Sequence, residues 1–158
     1  MHAATDSAVR REITVNATPE RAFKVFAEQF DSWWPRSHSV GEAEMAKVVI
    51  EPRTGGRWYE QGVDGSICDW GEVLAYEPPH RLVVQWRLNG EWAFEKDPDA
   101  FSEIEVHFTA EGDATRVTLE HRHLDRHTGS EALKQAVGSE GGWPGLLAAY
   151  AEVVSAEG

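Results

Sequence analysis

Three histidines, His121, His123 and His127, stand within seven residues in the stretch VTLEHRHLDRHTG, residues 117–129. Imidazoles at this density can ligate a metal or carry protons near neutral pH. Zinc would need a third ligand beside two neutral rings. However, the HxHxxxH spacing differs from the helix-borne HExxH pattern, and the one cysteine, Cys68, is far away in the chain. No metal and no cofactor are therefore assigned. An acid/base role would use His121 with Glu60 or Glu72. In WYE, Glu60 shares strand parity with Trp58, and in CDWGEV, Glu72 shares it with Trp70. No nucleophile, metal or cofactor pattern completes these residues into a recognised active site, so binding is favoured over catalysis.

Other residues with chemical potential have plain structural uses. TGGRWYE is neither a Walker loop nor a GxGxxG fingerprint, and it runs into a strand instead of a phosphate-facing helix. Arg57 in that segment has a guanidinium fork that suits an anionic ligand or a surface carboxylate. Seven tryptophans, at 33, 34, 58, 70, 86, 92 and 143, are too dispersed for a membrane belt. Brought together, they would line an aromatic pocket or fill a dense core.

These residues must be positioned by elements that the periodicity makes visible. VRREITVNA alternates so that Val9, Arg11, Ile13 and Val15 share a face, as in a half-buried strand. In ATPERAFKVFAEQFDSWW, Thr18 caps a helix and Pro19 opens it, with an apolar stripe at Ala22, Phe23, Phe26, Ala27 and Phe30. A break is expected around Asp31 and Ser32. From Met45 onward six short β-prone segments follow, separated by turn signals such as EPRTGG, DG, YEPPH and AEGDA. Their short connections favour antiparallel pairing. In the last strand Val117, Leu119, His121 and His123 share the core-facing side. The tail returns to helical spacing, first at Leu133, Ala136 and Val137, then at Leu146, Leu147, Tyr150, Val153 and Val154. The expected fold class is α+β, with residues 1–8 as a flexible arm and 9–158 as one domain.

Composition limits the partners. Asp and Glu outnumber Lys and Arg by 27 to 15, a formal net charge of −12, which speaks against nucleic acid and anionic membranes. One cysteine leaves no internal disulfide framework, and there is neither a signal-peptide core nor an 18-residue apolar run, so a cytoplasmic location without membrane insertion is expected.

The ordered set ATPERAFKVF, FDSWWPRSHSVG, VVIEPRTGGRWYE, CDWGEVLAYEPPHRLVVQW, FSEIEVHF and TRVTLEHRHLDRHTG resembles the bacterial SRPBCC proteins related to the C-terminal domain of the heat-shock-protein ATPase activator. The resemblance spans about residues 9–154. It implies a START-like, or Bet v 1-like, helix-grip fold: a curved seven-stranded antiparallel sheet around a long C-terminal helix, with two short helices between the first two strands. His121 matches the family-like LEHR pattern, whereas His123 stands where related sequences are often glycine-like. Three kinds of function are implied. The first is noncatalytic binding of a small hydrophobic or amphipathic ligand, with Trp58, Trp70 and Trp86 as aromatic contacts and Arg57, Glu60 or His121 fixing polar groups. The second is a cyclase, dehydratase or hydrolase-like reaction using His121 with Glu60 or Glu72. The third is a protein-interaction module, with a protein partner or a second copy of the chain. Direct chaperone activation is not carried over, because this length leaves no room for the activator's N-terminal domain.

Overall fold

The computed structural model describes residues 8–34, 45–88, 101–124, 127, 130–139 and 142–157. Apart from Ala8, the expected N-terminal arm lies outside the described residues, as does Trp92. Seven strands form one antiparallel sheet in the order β1-β7-β6-β5-β4-β3-β2. They are β1 (Val9–Val15), β2 (Met45–Ile50), β3 (Arg57–Gly62), β4 (Ile67–Glu77), β5 (Arg81–Trp86), β6 (Ser102–Glu111) and β7 (Ala114–Arg122). β2 to β7 pair as successive antiparallel neighbours, which short connections favour everywhere except between β5 and β6, where residues 87–101 intervene. β1 returns to pair with β7, in register from Val9 opposite His121 to Val15 opposite Thr115. The curled sheet and the long final helix α4 (Trp143–Glu157) make the expected helix-grip fold.

Between β1 and β2 lie α1 (Pro19–Ala27) and α2 (Phe30–Trp33). Thr18 is the N-cap of α1, its side chain accepting from the Arg21 amide, and Pro19 sits where a missing N–H costs nothing. The break falls earlier than the sequence suggests, at Glu28 and Gln29, and Asp31 and Ser32 lie inside α2. The reason is that both side chains are engaged in holding this segment. Asp31 Oδ1 accepts the Val48 amide of edge strand β2 at 2.9 Å, and Ser32 Oγ donates to the Gln29 carbonyl at 2.6 Å.

α4 packs against β1, α1 and α2, burying Leu146, Leu147, Tyr150 and Val154. Two hydrogen bonds tie it to α1. Tyr150 Oη donates to the Ala22 carbonyl at 2.7 Å, and Arg21 Nη2 donates to the Val154 carbonyl at 3.1 Å. The preceding helix α3 (Ser130–Gly138) is fastened to β1 where Arg11 Nη2 donates to the Gly138 carbonyl at 3.0 Å. Among the described residues no helix is long and apolar enough to cross a membrane.

The opposite face of the sheet carries ions. Arg122 of β7 binds Glu103, Glu105 and Glu120, while Arg81 of β5 and His107 of β6 also reach Glu105. Burial alone would raise the Glu105 carboxyl, but hydrogen bonds from Arg81, Arg122 and His107 bring it down to about 2. A shallow groove of about 490 Å³ on this face is lined by residues including Arg10, Glu12, His107, Thr118 and Glu120.

Candidate functional site

On the inner face, at the end of the sheet where β7 finishes and β6 begins, the indoles converge. Strand alternation points Trp58 of β3 and Trp86 of β5 toward α4. Trp143 enters from the first turn of α4, and Trp34 from the end of α2. Trp70 of β4 arrives by a different device. The β3–β4 register shifts between Trp58 and Tyr59, so Trp70 lies in a bulge. The neighbouring Gly71 lets β4 close on β5, where a Cβ would stand 1.7 Å from the Gln85 carbonyl oxygen. The rings touch in a continuous row: Trp34 to Trp70 at 5.3 Å, Trp70 to Trp58 at 5.2 Å, Trp58 to Trp86 at 5.7 Å, and Trp86 to Trp143 at 6.3 Å between centroids. Most of these contacts are tilted or edge-to-face, the arrangements that ring quadrupoles favour.

Two polar groups sit within this aromatic row. Glu60 is 1 % exposed, and its Oε1 accepts the Trp70 indole N–H at 3.2 Å. His121 is fully buried, with its ring 5.1 Å from that of Trp86. Its Nδ1 accepts the Trp143 indole N–H at 3.1 Å, and its Nε2 lies 2.8 Å from Ser102 Oγ. The same Oγ lies 2.8 Å from Nε2 of His127. An indole N–H only donates, so His121 Nδ1 carries no proton and its Nε2–H donates to Ser102. The single serine proton is then directed to His127 Nε2. Burial, together with the neighbouring charge of His127, pushes His121 down to about 3, so the imidazole stays neutral at physiological pH.

Trp58, Trp70, Trp86, Glu60 and His121 therefore come together as expected. Arg57 and Glu72 do not. Arg57 has the opposite parity to Trp58 and is exposed; its Nε donates to Asp69 at 3.1 Å, and its guanidinium lies 4.9 Å from the Tyr59 ring centre. Glu72 is exposed because the bulge at Trp70 resets the alternation, so that Val73 is the next buried residue of β4. The acid/base pairing of His121 with Glu60 also does not form, since both ring nitrogens of His121 are taken by Ser102 and Trp143.

The histidine cluster is rearranged as well. The strand ends at Arg122, and His123 turns out of it with φ 66°, a left-handed conformation that suits glycine. His127 folds back and is buried beside His121. Ser102 was not singled out from sequence, although it heads an alternating row with Ile104, Val106 and Phe108. A polar residue at the head of an apolar row is the signal that could have found it.

A family model described as "Activator of Hsp90 ATPase homolog 1-like protein" matches residues 16–155. Among solved structures, the chain is similar to an anthrahydroquino-γ-pyrone synthase, Txn09, complexed with SUM: 41% identity over 92% of this chain and 96% of that one, TM-score 0.65. It is also similar to CalC, a self-sacrificing resistance protein from Micromonospora echinospora, with 34% identity, 96% of each chain covered and a TM-score of 0.68. Protein NE0264 from Nitrosomonas europaea shares the fold at 15% identity, with 96% of each chain covered and a TM-score of 0.67. No curated protein matches the chain. With the helix-grip topology in place and the family pattern running from the end of β1 through α4, the chain belongs to the Activator of Hsp90 ATPase homolog 1-like family of SRPBCC proteins.

Proposed function

We propose that the chain binds a small hydrophobic or amphipathic molecule between the sheet and α4, without altering it chemically. The observation that carries this reading is the row of indoles at Trp34, Trp70, Trp58, Trp86 and Trp143, with Glu60 and His121 set into it. Aromatic walls with a few fixed polar atoms suit small-molecule recognition. Trp58, Trp70 and Trp86 are the contacts and Glu60 orients the polar end, while His121, with both ring nitrogens engaged, holds Trp143 in the row. The test is a titration with a panel of apolar and amphipathic compounds. It predicts saturable quenching of tryptophan fluorescence and a one-to-one complex in native mass spectrometry. A broad panel with no retained or bound compound would count against binding, and protein capture without small-molecule retention would favour an interaction module.

A catalytic use has one specific observation in its favour, the synthase at 41% identity. In that reading the proton-transfer group is Glu60, because it is buried among the rings whereas Glu72 faces solvent. Turnover of a polycyclic substrate that survives Glu60→Gln in a folded variant would remove Glu60 from that role.

A further inference from the structure

The indole N–H groups of the aromatic row are not treated alike. Trp33 donates to the Val25 carbonyl at 3.2 Å, Trp86 to the Leu88 carbonyl at 2.7 Å, Trp70 to Glu60 and Trp143 to His121. The chain thus supplies these donors with a carboxylate, an imidazole and two backbone oxygens. Trp58 differs from these four: it is 1 % exposed, and its Nε1 has no acceptor among the described residues. A buried donor left in this state has given up its hydrogen bond to water without a replacement. Such a group in a native structure calls for an explanation.

Resting on the binding reading above, we propose that the Trp58 N–H is the recognition donor of the site. It takes an uncharged acceptor oxygen, a carbonyl or phenol, on a flat conjugated ligand. Three features set this chemistry. An indole N–H donates only, so the ligand atom facing it must accept. Trp58 is ringed by Phe30 at 5.7 Å, Trp70 at 5.2 Å and Trp86 at 5.7 Å, surroundings that favour a planar π-system. The Glu60 carboxylate lies one indole away on Trp70, and the chain as a whole is acidic, so a carboxylate or phosphate ligand is disfavoured.

Fluorenone and fluorene test this directly, because they share one tricyclic frame and differ by a carbonyl in place of a methylene. By calorimetry, Trp58→Phe is expected to weaken fluorenone binding about tenfold more than it weakens fluorene binding, the lost ring contact being common to both probes. Equal weakening of both probes overturns the proposal and leaves the binding reading standing. Binding of neither probe by the unaltered protein removes both. A second measurement needs no variant: the infrared carbonyl stretch of bound fluorenone should lie below its position in hydrocarbon solvent, and an unshifted band overturns the proposal.

Discussion

Ser102 Oγ stands 2.8 Å from His127 Nε2 and is hydrogen-bonded to it, with His121 on the other side of the same oxygen. That one hydroxyl joins the start of β6 to the end of β7 and to the segment leading toward α3, and through His121 it reaches Trp143 at the start of α4. Ser102→Ala leaves two buried imidazole nitrogens without their partner. It should lower unfolding stability by about 2–6 kcal/mol, counting about 1–3 for each orphaned group. Urea denaturation measures this, and a change within 0.5 kcal/mol of zero, the rough size of an ordinary surface substitution, would show that the bonded chain carries no stability.

Acid should weaken the fold through His121. Its folded-state value, about 3, lies below the ordinary imidazole value near 6.5, so the unfolded chain binds the proton first. Stability is then complete above about pH 6.5 and falls as pH descends toward 3. Glu105 acts in the same direction over a lower window. Its folded value, about 2, is depressed from 4.5, so its contribution is present above 4.5 and lost toward 2. Urea midpoints between pH 7.5 and 5 should therefore fall for the native chain and fall less steeply for His121→Phe. Parallel slopes would assign the acid sensitivity elsewhere.

Gly71 is required by the close approach of β4 to β5. In Gly71→Ala the new Cβ would stand 1.7 Å from the Gln85 carbonyl oxygen, against backbone that cannot swing aside as a side chain does. A loss of about 3 kcal/mol or more is expected, at the upper end for overpacking. A thermal melt within about 2 °C of the native chain, less than 1 kcal/mol at this size, would contradict it.

His123→Gly should stabilise. The imidazole residue holds φ 66°, and removing its Cβ relieves a conformation that costs an ordinary residue about 1–2 kcal/mol, partly offset by the greater freedom of an unfolded glycine. A net gain of about 0.5–1 kcal/mol is expected in urea denaturation. A loss would mean that the His123 side chain makes a contact worth more than the strain.

The strands were legible because turn residues bound them and alternation is kept along β3, β6 and β7, and the same alternation placed His121 inward behind Val117 and Leu119. Parity failed where the backbone broke its own period. The bulge at Trp70 turned Glu72 out to solvent, and the left-handed turn at His123 ended the row one residue early. His127 came back into the core through a turn that no periodicity encodes, and Ser102 acquires its role only from the β6–β7 register that sets Ile104 opposite His121. The helix break moved for a related reason. Asp31 and Ser32 resemble a turn in sequence, but one serves a distant strand and the other its own helix.

The proposed function rests on a small molecule binding between the sheet and α4, against the indole row. Its most direct test is a fluorene titration followed through the indole N–H resonances of uniformly ¹⁵N-labelled protein. Saturable shifts are expected at Trp58, Trp70 and Trp86. Resonances unmoved at saturating probe, or shifts confined to the outer-face residues around Thr118 and His107, would contradict it.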